Sequence, residues 1–227
     1  SGAESGWDYS TRWFADGENI STIETTNIIP VDLNSLLFNL ETTIAEANAA
    51  RGYTEEADIF RQKAQQRRAA MEEYLWNEAE GYYGDYNFVD QQLTGIPSLA
   101  MVYPLFFNIA NPQRAARVAQ VIEKDFLKAG GVVSTLNHSG QQWDAPNGWA
   151  PLQWMTIQGL RNYNKNKLAN TIRERWIAVN KKVYKNTGKM VEKYDVEDMT
   201  LEAGGGEYPV QDGFGWSNGV LLRLMAE

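Results

Sequence analysis

Gln142-Trp143-Asp144-Ala145-Pro146-Asn147-Gly148-Trp149-Ala150-Pro151-Leu152-Gln153-Trp154 packs three tryptophans, two prolines, one glycine and one carboxylate into thirteen residues. Neither a helix interior nor a central strand tolerates both prolines, so the first part reads as a loop. Pro151 is acceptable in the first turn of a helix, and Leu152, Met155, Ile157, Leu160 and Tyr163 continue one at helical spacing. The reading is a rigid aromatic loop that feeds directly into a buried helix. Planar rings held beside a carboxylate suit a sugar, whose C–H faces stack on indole. The same residues would also serve a loop that buries its tryptophans and uses Asp144 as a cap.

Outward from this stretch the chain reads as helix after helix. Residues 1–30 are loop and short extended pieces. Leu33, Leu36, Leu37, Leu40, Ile44 and Ala47 mark a helix over 31–50, closed by Arg51-Gly52-Tyr53. Thr54 is an N-cap candidate for the next helix, which runs through 74–75. Glycine alternating with tyrosine over 81–88 reads as a short hairpin. A mostly apolar helix is expected over 93–110, and another after Asn111-Pro112 through 126. Beyond the tryptophan loop come helices over 149–163 and 166–185, a glycine-rich loop over 188–213 and a closing helix from Ser217. No strand–helix alternation suggests a parallel sheet. The expected class is all-α, built from antiparallel helix pairs.

The 227 residues suffice for one domain that buries roughly 70–75% of its unfolded surface. A net charge of −8 argues against nucleic acid or an anionic membrane as the main partner, and a neutral ligand fits better. There is no cysteine, hence no thiol nucleophile, thiolate zinc site or disulfide. The one histidine, His138, excludes a histidine-rich metal site and reads as an exposed loop residue. No apolar run approaches the roughly 20 residues needed to span a bilayer.

The tryptophan stretch resembles a signature of the trehalase family, glycoside hydrolase family 37. Two further segments resemble the same family in the same order: Glu4-Ser5-Gly6-Trp7-Asp8, and Gly204-Gly205-Gly206-Glu207-Tyr208-Pro209 with Gln211-Asp212-Gly213-Phe214-Gly215-Trp216. The resemblance covers essentially all of residues 1–227. It implies an (α/α)6 toroid, of which this chain would supply about half, as the C-terminal part of a single catalytic domain. It also implies trehalose as substrate, no cofactor and no metal, and a periplasmic or secreted location rather than a cytoplasmic one.

Cleaving a glycosidic bond requires an acid for the leaving oxygen and a base for the attacking water, and two carboxylic side chains suffice. Asp8 lies between Trp7 and Tyr9, where desolvation would favour the protonated form; the alternative is a loop aspartate capping its own backbone. Glu192, in Glu192-Lys193-Tyr194, reads by itself as one half of a salt bridge. From the residues alone Glu207 is the better candidate, because glycines 204–206 let the backbone approach a ligand closely. The resemblance carries the general acid onto Asp8 and the general base onto Glu192, and makes Glu207 a hydroxyl-binding residue. It implies an inverting mechanism, with the carboxyls roughly 6.5–9.5 Å apart. Trp143, Asp144, Asn147, Trp149 and Gln153 form the expected sugar-binding group. Tyr208, Gln211, Asp212 and Phe214 are expected in the site wall, and Trp216 fits the core equally well.

The sequence also departs from the family. Trehalases are about twice as long, and the Pro-Gly-Gly-Arg-Phe signature of their N-terminal half is absent. A half-ring should expose inner helix faces, including much of 93–109, to be covered by the N-terminal half of the same enzyme or by self-association. A non-catalytic carbohydrate-binding module on the same fold, or an inverting glucosidase for another disaccharide, are the alternative functions.

Overall fold

In the computed structural model, residues 2–200 and 210–227 are described. Among them are seven α-helices: α1 (Val31–Ala50), α2 (Thr54–Tyr74), α3 (Tyr103–Phe106), α4 (Pro112–Val121), α5 (Ala150–Asn162), α6 (Asn166–Thr187) and α7 (Gly215–Met225). Helices α1 and α2 form one hairpin and α5 and α6 another; α3 packs against both α1 and α5, and α7 closes on α5 and α6. Strands are two- and three-residue pairings in the loops. This helix-pair arrangement is the all-α architecture expected from the sequence.

The periodic segments form where their spacing places them. α1 and α2 match the expected 31–50 and 54–74. Thr54 is the first residue of α2 and not its cap, for no side chain caps that end. The Asn111 side chain, in contrast, accepts from the Arg114 amide at 2.9 Å and starts α4 as expected. The glycine–tyrosine stretch splits into two pairings, Trp76–Asn77 with Tyr82–Tyr83 and Tyr86–Asn87 with Gln92–Leu93.

The helix expected over 93–110 is largely absent. Leu93 sits in a strand, a 3-10 turn spans Leu99–Val102, and only α3 is α-helical. Pro104 can occupy only the first turn of a helix, and Asn108, with φ 56°, ends it in the left-handed region. The apolar run is nonetheless core: Leu99, Met101, Leu105 and Ile109 are fully buried between α1 and α5. The expectation that this segment would be an open face is therefore overturned. The exposed apolar stripe lies on α1 instead, at Leu33, Leu36 and Leu40, which are 46–52% exposed.

A buried ionic clamp holds the N-terminal loop to the body. The guanidinium of Arg12, with no exposed surface, pairs bidentately with Asp32 at the start of α1 and with Asp85, all four bonds at 2.6–2.8 Å. Asp85 also accepts from the Val31 amide at 2.9 Å. Burial alone would lower the Arg12 pKa; the two carboxylates more than reverse this and raise it, so the group is a fixed cation. Its faces stack on Trp7 and Trp13, 4.7 and 4.3 Å from the ring centroids.

A second tie is the pairing of Asn147–Trp149 with Lys193–Asp195. Gly148 in its centre meets Tyr194, and a Cβ there would stand 2.4 Å from Val196 Cγ1 and 3.1 Å from the Val132 carbonyl oxygen. Two outcomes are expected in urea unfolding. Arg12→Met, which leaves two buried carboxylates uncompensated, costs about 3–5 kcal/mol. Gly148→Ala costs about 1–3 kcal/mol by overpacking.

Candidate active site

The quoted loop and the two flanking motifs meet along a row of aromatic rings. Trp7 tilts against Trp143 at 5.3 Å between centroids, and Trp143 stacks on Trp149 at 3.8 Å with planes 1° apart. Trp149 meets Trp216 edge-on at 5.8 Å, and Phe214 adjoins Trp216 at 4.8 Å. A cavity of about 340 Å³ opens beside this row, walled by Trp7, Trp13, Trp143, Trp216, Tyr103 and Asp32. Burial pushes the Tyr103 phenol well above its ordinary pKa, so that ring presents a neutral hydroxyl. A larger cavity of about 560 Å³ lies between α1 and α2, beside Tyr74, Tyr86 and Arg67, and contains none of the candidate residues. Size does not mark the site here; the convergence of the motifs does.

Asp8 adjoins Trp7 in sequence, and the Glu192 backbone meets Trp216. Asp8 is partly buried and follows Trp7 directly. Its main-chain carbonyl accepts from the side-chain amide of Gln142. Glu192 is 4% exposed. Its carboxylate lies 3.1 Å from the ammonium of the fully buried Lys193, the salt bridge anticipated from the sequence. The Glu192 carbonyl accepts from Trp216 Nε1 at 3.1 Å, and its amide donates to the Gln211 carbonyl at 2.9 Å. Gln211, whose side chain is exposed, thus borders Glu192 through its backbone.

The structure divides the expected sugar-binding group. Trp143 lines the cavity. Asp144 is fully buried and accepts from Ser10 Oγ at 2.6 Å, the Thr11 amide at 2.9 Å, Thr135 Oγ1 at 2.8 Å and Ser139 Oγ at 2.5 Å. Four donors occupy the acceptor sites of this carboxylate. Asn147 and Trp149 both donate to the Gln142 carbonyl, at 3.0 and 3.1 Å. Gln153 donates to the Val132 carbonyl at 2.6 Å and accepts from the Val132 amide at 2.9 Å. These three are 0–1% exposed. Asp212 is exposed and paired with Lys189 at 2.6 Å, which holds its carboxyl below the usual range. Glu207 and Tyr208 lie outside the described residues.

His138 is exposed as expected, 2.6 Å from Glu197. Burial would raise the Glu197 pKa, but hydrogen bonds from His138 and Lys128 bring it below the usual glutamate value. Gln142 was not singled out from the sequence as a site residue, although it opens the deciding stretch. Its signal is positional: a long amide immediately before the first tryptophan. Among the described residues no cluster of His, Cys, Asp and Glu could hold a metal ion.

A sequence model of the family described as Trehalase matches residues 1–227. The chain is 49% identical over 224 residues to a periplasmic trehalase of Xanthomonas oryzae pv. oryzae, covering 99% of this chain and 39% of that protein. It is 48% identical to a periplasmic trehalase of Pseudomonas aeruginosa, covering 99% of this chain and 41% of that protein. It thus spans about two-fifths of the length of the curated relatives it matches. Among solved structures, the neutral trehalase Nth1 from Saccharomyces cerevisiae superposes with a TM-score of 0.79 at 24% identity, over 97% of this chain and 40% of that one. That likeness establishes the fold, an (α/α)6 toroid of which these helices form about half. The aligned motifs, the matched family model and the shared fold agree: the chain belongs to the trehalase family.

Proposed function

We propose that this chain carries the acid/base pair of an enzyme that hydrolyses α,α-trehalose to two glucose molecules with inversion. The single observation that supports this most is the aromatic row, which runs from the residue beside Asp8 to the ring bonded to the Glu192 carbonyl. The row borders a cavity faced with indole and links, through Trp7 and Trp216, the segments that carry Asp8 and Glu192, 184 positions apart in sequence. Asp8 is the general acid, which protonates the bridging oxygen. Glu192 is the general base, which takes a proton from water as that water attacks the anomeric carbon from the opposite face. Metal and cofactor are not required for this chemistry.

Trp143, with Trp7 and Trp216, supplies the stacking surface. Glu207, Tyr208, Gln211 and Phe214 are assigned to the wall near the base, and Asp144, Asn147, Trp149 and Gln153 to the frame behind it. The exposed leucines of α1 border the same cavity through Leu33 and Leu36. The remaining part of a trehalase-length protein, packing on that stripe, would complete the binding site; without it hydrolysis is expected to be weak or absent. The two bacterial relatives above are named periplasmic trehalases, and the same compartment is assigned here. No helix among the described residues is long and apolar enough to cross a membrane.

The test is the chain incubated with α,α-trehalose, alone and with the N-terminal part of a relative, followed by proton NMR. Inversion predicts that equal amounts of α- and β-glucose appear before mutarotation; retention would give the α anomer alone. Asp8→Asn and Glu192→Gln are each expected to lower kcat by about 10²–10⁴-fold. Asp144→Asn should act differently, lowering the melting temperature by roughly 2–4 °C or more per kcal/mol lost. Sugar binding without glucose release in either mixture would sink the hydrolase reading and favour a binding module.

A further inference from the structure

The Gln142 side chain has one end on the Asp8 backbone and the other on Lys193, the residue that follows Glu192 and pairs with it. It is 1% exposed. Its amide nitrogen donates to the Asp8 carbonyl, and its Oε1 accepts from Lys193 Nζ at 3.4 Å. Lys193 is fully buried, its ammonium 3.1 Å from Glu192 Oε2 and 5.4 Å from the centroid of Trp149. The Gln142 backbone is itself pinned, because its carbonyl accepts from both Asn147 Nδ2 and Trp149 Nε1.

We infer that Gln142 and Lys193 are positioning residues, a brace that sets the separation between the segment bearing Asp8 and the segment bearing Glu192. This inference rests on the roles proposed above for those two carboxyls. The chemistry of the brace is specific. A primary amide donates with one arm and accepts with the other, so a single side chain engages a carbonyl on one side and an ammonium on the other. Glutamate lacks the donor, methionine lacks both arms, and asparagine is one methylene too short to span the gap. Lys193 in turn supplies the positive charge that a nearly enclosed carboxylate requires. Its hydrocarbon stem and the Trp149 face keep that pair out of water. Inversion depends on the carboxyl separation leaving room for one water, so a brace that fixes this distance acts on the rate of the chemical step more than on sugar affinity.

The experiment measures glucose release from trehalose by the whole protein that contains these residues. Gln142→Asn, Gln142→Met, Lys193→Met and the Gln142→Met/Lys193→Met pair are compared with wild type. Expected is a kcat about 10²-fold lower for each single variant, with KM changed less than about threefold. The double variant should be no slower than the slower single, because both substitutions remove the same brace. Gln142→Asn keeps the amide and guards against a result due to misfolding; melting curves check this for every variant. A folded Gln142→Asn with wild-type kcat, a rise in KM alone, or single effects that simply multiply would overturn the inference. Glu192→Gln separates it from the reading beneath. If that variant is inactive while the brace variants are not, the brace alone fails. If Glu192→Gln stays active, or wild type releases no glucose, the base assignment fails and the brace with it.

Discussion

The closed shell around Asp144 is the constraint on which the site depends. A carboxylate with no exposed surface must be fully hydrogen-bonded, and here the donors come from Ser10 and Thr11 on one side and Thr135 and Ser139 on the other. The requirement therefore joins the N-terminal loop to the tryptophan loop. Once they are joined, Trp7 reaches Trp143, and Arg12 beneath them anchors both to α1 through Asp32. The pairing of Asn147–Trp149 with Lys193–Asp195 adds the third segment. Electrostatics fixes the first contact and packing the rest.

The site is built from loops, whereas the stability resides in helix hairpins. This division suits a helical ring, in which inner and outer helices present their connections at one end and the connections carry chemistry. It also accounts for the buried charges. A loop has no ladder of backbone bonds to hold it, and the Arg12 and Asp144 networks take that part.

Much of the fold was legible because its signal is local. The repeating leucines of α1 and the apolar spacing of α5 announce helices whatever surrounds them. The segment 93–110 failed for the same reason in reverse: an apolar run without period says buried, but not in which backbone form, and Pro104 and Asn108 decided the form. At the candidate site, sequence singled out one stretch but could not divide it. Asp144, Asn147, Trp149 and Gln153 have the chemistry to bind a sugar and equally the chemistry to hold a frame. What separates the two uses is enclosure by partners such as Ser10 and Val132, which lie at distances along the chain that no local pattern encodes. Gln142 escaped notice for that reason too, since both arms of its amide reach other segments.

The bond from Ser10 to Asp144 spans 134 positions, and this separation has a temporal consequence. A chain made from its N-terminus at about 5–20 residues per second exposes Ser10 and Thr11 well before their acceptor exists. During that interval Arg12 must wait, first for Asp32 and then for Asp85, while its neighbouring tryptophans have no surface to cover them. Contacts of such high sequence separation form late and slowly. The segment around Ser10 therefore settles only after the tryptophan loop has been made, well after it has itself emerged.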